Sequence, residues 1–64
     1  MTDQPVHSEE DRIRAAELYA EARKLEAQRD YDGAIRSYAQ SLQLCEDPLV
    51  EAAYLKLLST VGPL

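Results

Sequence analysis

Cys45 and His7 are the only cysteine and the only histidine of the chain, so they form its single candidate nucleophile–base pair. Such a pair needs both side chains within hydrogen-bond reach and a third group that orients the histidine. His7 lies in a polar leader, and Cys45 lies near the end of an apolar stripe, which favours a packed cysteine. One histidine and one cysteine do not complete a tetrahedral zinc set. We therefore predict no enzyme activity, and no catalytic, cofactor-binding or metal-binding residues.

The remaining polar residues are typical of helix ends and solvent. Glu9-Glu10 and Glu46-Asp47 stand at predicted helix ends, where they fit helix-terminal charge and not acid–base pairs. The two glycines cannot form a phosphate loop. The four tyrosines lack the interleaved Lys or Arg of a base-stacking surface, so core or groove positions are favoured.

The charge balance bounds the class of partner. The formal net charge is -5 and the pI about 4.6. No basic stripe is present to release counterions, which disfavours nucleic acid and anionic membranes. The chain shows no signal or transit peptide and no apolar run long enough for a bilayer. We predict a cytoplasmic protein without direct membrane insertion, and the acidity favours a basic partner.

Apolar residues at spacings of three and four predict two helices joined by a short turn. The stripe before the turn is Ala15, Leu18, Ala22 and Leu25, and the stripe after it is Tyr31, Ala34, Tyr38 and Leu42. Stripes separated by so few residues suit an antiparallel helix pair. The small alanines let the two backbones approach closely.

A third helix is indicated by Asp47-Pro48, an N-cap followed by proline at the first helical position. Ser8 and Asp30 are the expected N-caps of the first two helices. The predicted helices span 8–28, 31–45 and 48–60. We expect a flexible leader at 1–7, a three-helix domain at 8–61 and a tail at 62–64, in an all-α fold.

The third helix is apolar around much of its circumference. The face expected to pack on the pair is Val50, Ala53, Tyr54, Leu57, Leu58 and Val61. Leu49, Ala52 and Leu55 lie on other sides of the same helix. The predicted core contains some of Val50, Tyr54, Leu57 and Leu58, together with Leu18, Ala22, Leu25, Ala34, Ile35, Tyr38 and Leu42. Surplus apolar surface of this kind usually marks a site for a partner.

The turn Asp30-Tyr31-Asp32-Gly33-Ala34-Ile35, with Ala22 before it and Tyr38 after it, resembles a tetratricopeptide repeat (TPR). Arg29 stands where the repeat usually has glycine. The resemblance covers about half of the chain. It implies a helical hairpin of a protein-interaction scaffold. The first helix of each repeat lines the concave surface of that family, which implies exposed positions at Ala16, Tyr19, Arg23, Glu26 and Ala27.

Two further families are similar in layout. The single-repeat receptor domain of the mitochondrial outer-membrane import machinery also has a helical hairpin, a cysteine near the end of the second helix and a leucine-rich third helix. Its groove takes an amphipathic cationic helix. The MIT (microtubule-interacting and trafficking) domain shares an Ala-x-x-Leu and a Tyr-x-x-Ala pattern.

Two classes of function follow from the sequence. In the first, the chain is a TPR-type module that binds a partner helix or peptide in an apolar groove with an acidic rim. The expected partner-binding residues are Tyr19, Arg23, Glu26, Leu49, Ala52 and Leu55. In the second, it is a structural or self-associating helical bundle without a ligand: a fragment, an oligomerisation unit or a designed protein. The partner is then a second copy of the chain.

Overall fold

Three helices account for most of the chain in a computed structural model, which describes residues 9–62. They are α1 (Glu9–Ala27), α2 (Tyr31–Leu44) and α3 (Pro48–Val61), and residues 9–62 contain no strand. The predicted all-α class is confirmed, and the bounds within this range agree with the sequence to one residue. The leader 1–7, the cap Ser8 and the tail residues 63–64 lie outside the described residues. None of the three helices has the length and apolarity needed to cross a bilayer.

The turn between α1 and α2 is a Schellman motif. The Arg29 N–H donates to the Glu26 carbonyl at 2.9 Å, and the Asp30 N–H donates to the Leu25 carbonyl at 2.9 Å. Arg29 has φ of 67°, in the left-handed region where a side chain is unfavourable and glycine is free. This turn places Asp30 at the N-cap position of α2.

Aspartates cap the starts of α2 and α3. The Asp30 carboxylate accepts a hydrogen bond from the Gly33 N–H at 3.2 Å, and Asp47 accepts one from the Leu49 N–H at 3.0 Å. A Cβ on Gly33 would lie 2.8 Å from the Asp30 Oδ2 atom. The glycine therefore makes room for the capping carboxylate. Pro48 is the first residue of α3, a position whose N–H would have no partner within the helix, so proline is tolerated there.

The centre of the domain is a cluster of small and large side chains from all three helices. Ala22, Ala34 and Tyr38 are completely buried, and Val50 and Leu57 complete the cluster. Of the other predicted core residues, Leu18 is also buried. The half-buried ones pack around the cluster: Leu25, Ile35, Leu42 and Tyr54. The alanines bring the α1 and α2 backbones together, and the Tyr38 ring fills the adjoining space.

Two hydrogen bonds join α1 to α2. The buried Ser41 hydroxyl donates to the Ala15 carbonyl at 2.8 Å, and the Tyr38 hydroxyl donates to the Glu26 carboxylate at 2.7 Å. Ser41 was not among the predicted core residues. The TPR resemblance implied an exposed Glu26, and that expectation is wrong, since Glu26 is half-buried and its carboxylate is bonded to Tyr38. Together the two bonds fix the antiparallel register.

The third helix packs on α2 and makes almost no contact with α1. Its buried residues are Val50 and Leu57, which lie seven residues apart and so form one narrow stripe. Leu58 and Val61 were predicted on the packed face, but they are 36% and 47% exposed. The prediction was wrong because a single neighbouring helix covers only a narrow strip of α3. The separation of α3 from α1 leaves a groove between them.

Candidate functional site

An open groove, here called the α1–α3 groove, runs along the two helices over α2. It consists of three adjoining depressions of about 310, 340 and 300 Å³. The first and second share Tyr19 and Leu49, and the second and third share Arg23 and Glu26. Two helices supply most of its lining: Arg12, Ala16, Tyr19, Arg23 and Glu26 come from α1, and Leu49, Ala52, Ala53 and Lys56 come from α3.

The direction of the helices explains why the groove is long. Both α1 and α3 run opposite to α2, so they are parallel to each other. The first depression joins the starts of α1 and α3, at Ala16 and Leu49, and the third joins their ends, at Ala27 and Thr60. The groove is therefore a channel along most of α3.

Tyr38 of α2 positions two of the groove residues from below. Its ring packs against the ring of Tyr19 with a centroid distance of 6.0 Å and a tilt of 49°. Its hydroxyl holds the Glu26 carboxylate. Burial, together with that hydrogen bond, raises the pKa of Tyr38 to about 12. The hydroxyl therefore remains a protonated donor well into the alkaline range, and both groove side chains keep a fixed support.

Five of the six predicted partner-binding residues line the groove. They are Tyr19, Arg23, Glu26, Leu49 and Ala52, and all five border the second depression.

Leu55 is the exception, because it borders none of the three depressions that form the groove and is 54% exposed. It lies six residues after Leu49, which turns its side chain by roughly 120° around the helix axis. The single surface expected from Leu49, Ala52 and Leu55 is thus divided between two sides of α3.

The expected acidic rim is wrong for this groove. Its charged lining residues are the cations Arg12, Arg23 and Lys56 against the carboxylates Glu26 and Asp47. Both carboxylates already accept hydrogen bonds from the chain itself. The expectation was drawn from the net charge, which does not tell on which side of a helix a charge lies.

Arg12 and Lys56 are groove residues that the sequence argument missed. Arg12 precedes Arg23 by eleven residues, or about three helical turns, so a helical-wheel argument would have placed both on one side of α1. Lys56 could not be assigned in this way, because its side of α3 depends on how α3 packs on α2. Cys45 is half-buried and borders the first depression with the buried Ser41.

No group of three His, Cys, Asp or Glu side chains within residues 9–62 is placed to hold a metal ion.

The chain matches no protein-family model, and no curated protein or solved structure is significantly similar to it. The α1–α3 groove is accordingly the feature from which a function is inferred.

Proposed function

We propose that the chain is a protein-interaction module that takes the apolar side of a partner helix or peptide into the α1–α3 groove. One observation carries the proposal: Leu49, which is 67% exposed, and the half-buried Tyr19 border the same open depressions from opposite walls. Exposed apolar side chains that line a groove are the usual anchor points for an amphipathic helix.

The resemblance to TPR hairpins supports the same surface. It implies five exposed first-helix positions at Ala16, Tyr19, Arg23, Glu26 and Ala27. All five border the α1–α3 groove. A family resemblance and the geometry of the chain therefore point to one side of α1.

Two leucines of α3 offer a matched test. Leu49 borders the groove and Leu55 does not, while both are more than half exposed. Helical peptides would be selected from a displayed library on the parent chain and then measured against Leu49→Asp and Leu55→Asp. We expect Leu49→Asp to weaken binding by about tenfold or more, as for a central anchor. Leu55→Asp should leave it within about twofold.

Circular dichroism confirms that both variants remain helical before binding is compared. Peptides that bind Leu49→Asp as well as the parent would place the binding surface elsewhere. A selection that yields no binding peptide at all would remove the proposal.

Self-association is a second candidate, favoured by a different observation. Leu55, Leu58 and Val61 are all exposed and recur every three residues on α3, in the order of an apolar ridge. A second copy of the chain would cover this ridge in an antiparallel or parallel helix pair. Sedimentation equilibrium over a range of concentrations tests it: this candidate requires a dimer that Leu55→Asp dissociates and Leu49→Asp does not. A monomer at every concentration excludes it.

A further inference from the structure

Three cations line the α1–α3 groove. Arg12, Arg23 and Lys56 are exposed, and none forms an ion pair with another described residue. An ion pair between Arg14 and Glu17 at 3.4 Å lies on another side of α1. The groove therefore offers a partner three cations without an ion pair, beside two carboxylates, Glu26 and Asp47, that each accept a hydrogen bond from the chain.

Among the carboxylates of α1, Glu26 borders the groove beside Arg23 and accepts the Tyr38 hydrogen bond, whereas Glu17 and Glu21 lie on other sides of the helix. Glu17 and Glu21 are exposed and border none of the three depressions that form the groove. They stand roughly 120–160° around the helix axis from Arg23. Screening limits their effect on a groove ligand, since the Debye length is only about 8 Å at physiological ionic strength. At contact distance a partner meets the three groove cations and the two hydrogen-bonded carboxylates Glu26 and Asp47, so the groove lining has a small net positive charge.

The spacing of Arg12 and Arg23 sets the distance between the charges that a partner must carry. Arg12 and Arg23 are eleven residues apart, so their backbones are separated by roughly 16 Å along α1. Ala16 and Tyr19 lie between them on the same wall, facing Leu49 on the other. The part of the groove between Arg12 and Arg23 is thus an apolar stretch of about three helical turns with a cation at each end. Lys56 stands across from Arg23, which makes that end the more positive.

We propose that the groove selects an amphipathic helix that carries two carboxylate side chains eleven residues apart, flanking an apolar side. One carboxylate pairs with Arg12 and the other enters between Arg23 and Lys56. This inference rests on the proposed function and specifies the chemistry of its partner. It reverses the charge that the acidic composition of the chain suggested for the partner.

The charges serve selection more than affinity. Exposed ion pairs contribute little each, and reversing one of them changes an affinity by about three- to tenfold. Affinity comes from the apolar contacts of Tyr19 and Leu49, which no charge change removes. The groove cations therefore determine which of several amphipathic helices the groove prefers.

The test uses the full chain and three synthetic peptides with one apolar face. The peptides carry two Glu, two Gln or two Lys at positions i and i+11, and binding is measured by fluorescence anisotropy. The matched protein variants are Arg23→Glu, which changes a groove cation, and Lys24→Glu, which makes the same charge change on the neighbouring exposed residue outside the groove.

We expect the Glu peptide to bind the parent about three- to tenfold more tightly than the Gln peptide, and the Lys peptide to bind most weakly. Arg23→Glu should abolish or invert this order, whereas Lys24→Glu should preserve it. Changing only the second Glu of the peptide to Lys should restore binding to Arg23→Glu.

Three peptides that bind the parent equally, with Leu49→Asp weakening all of them, would overturn the charge inference and leave the groove intact. The same holds for an equal response of Arg23→Glu and Lys24→Glu. If no peptide binds and library selection also fails, both the inference and the proposed function are wrong.

Discussion

The α1–α2 pair and the third helix are held in the domain by different means. Between α1 and α2 lie the completely buried Ala22, Ala34 and Tyr38 and the hydrogen bonds of Ser41 and Tyr38. The third helix is attached to α2 mainly by the burial of Val50 and Leu57. Within residues 9–62 no side-chain hydrogen bond joins it to the pair.

Because α1 is held by hydrogen bonds and α3 only by apolar contact, the α1 wall of the groove is more tightly fixed than the α3 wall. Directional hydrogen bonds specify one register of α1 against α2, since a shifted helix would leave buried polar atoms unpaired. Apolar contact alone tolerates small displacements much better. We therefore expect the Tyr19 wall to be rigid in the free chain and the Leu49 wall to adapt to a ligand.

Overpacking the α1–α2 contact should cause the largest loss of stability. Ala34 is completely buried where the helices pack, so Ala34→Leu inserts three carbon atoms without space for them. Overpacking of this kind costs about 1–3 kcal/mol. We expect the midpoint of thermal unfolding, followed by circular dichroism, to fall by at least about 5 °C in a domain of this size.

Ala20→Leu is the control for this substitution, because Ala20 lies on the exposed side of α1. Its midpoint should stay within about 2 °C of the parent, as for an ordinary surface change. Equal midpoints for Ala34→Leu and the parent would show that the pair is packed in another way.

The hydrogen bond from Tyr38 to Glu26 gives a smaller effect with a distinctive pH dependence. Tyr38→Phe should lower the free energy of unfolding by about 1 kcal/mol at neutral pH. The pKa of Tyr38 rises from 10.0 to about 12 in the folded chain. Its contribution is complete below pH 10.0 and is lost as the pH rises towards 12, because the unfolded chain releases the proton first.

Urea unfolding between neutral pH and pH 12 measures this loss. The parent should lose more stability over that range than Tyr38→Phe does. Tyr54→Phe is the control, since the Tyr54 hydroxyl makes no hydrogen bond within the described chain. An alkaline loss that is the same in Tyr38→Phe as in the parent would exclude the role assigned to this hydroxyl.

A substitution in the turn between α1 and α2 should have the smallest effect on stability, and it should stabilise the domain. Arg29 has φ of 67°, where a side chain costs about 1–2 kcal/mol and glycine does not. Part of the gain is offset by the greater freedom of glycine in the unfolded chain. We expect Arg29→Gly to stabilise the domain by about 0.5 kcal/mol in urea unfolding. Gln28→Gly, one residue earlier, should not stabilise it.

The helices themselves could be predicted closely because their signals are local. Asp30 and the Asp47-Pro48 pair mark the starts of α2 and α3 through bonds to the next few residues. The alanines Ala22 and Ala34 likewise stand out at helical spacing. Neither kind of signal depends on how distant parts of the chain meet, so the fold class and the helix bounds followed from the sequence.

The side that each residue presents to a neighbour could not be predicted in the same way. Periodicity orders residues around a helix but does not say which sector the next helix covers. Leu58 and Val61 were assigned to the packed face of α3 for this reason, and Leu55 was grouped with Leu49. The bond from Ser41 to Ala15 joins residues 26 positions apart and depends on the final register. Arg12 and Lys56 were missed as groove residues because net charge carries no direction.

The central claim is that the groove has one fixed wall and one adaptable wall that a ligand orders. Amide hydrogen exchange, measured on the free chain and with the Glu peptide bound, tests it most directly. In the free chain we expect α3 amides to exchange about tenfold or more faster than those of α1 and α2. With peptide bound, protection should increase in α3 around Leu49 and Ala52. Uniform exchange in the free chain, or α3 amides unchanged in a saturated complex, would contradict the claim.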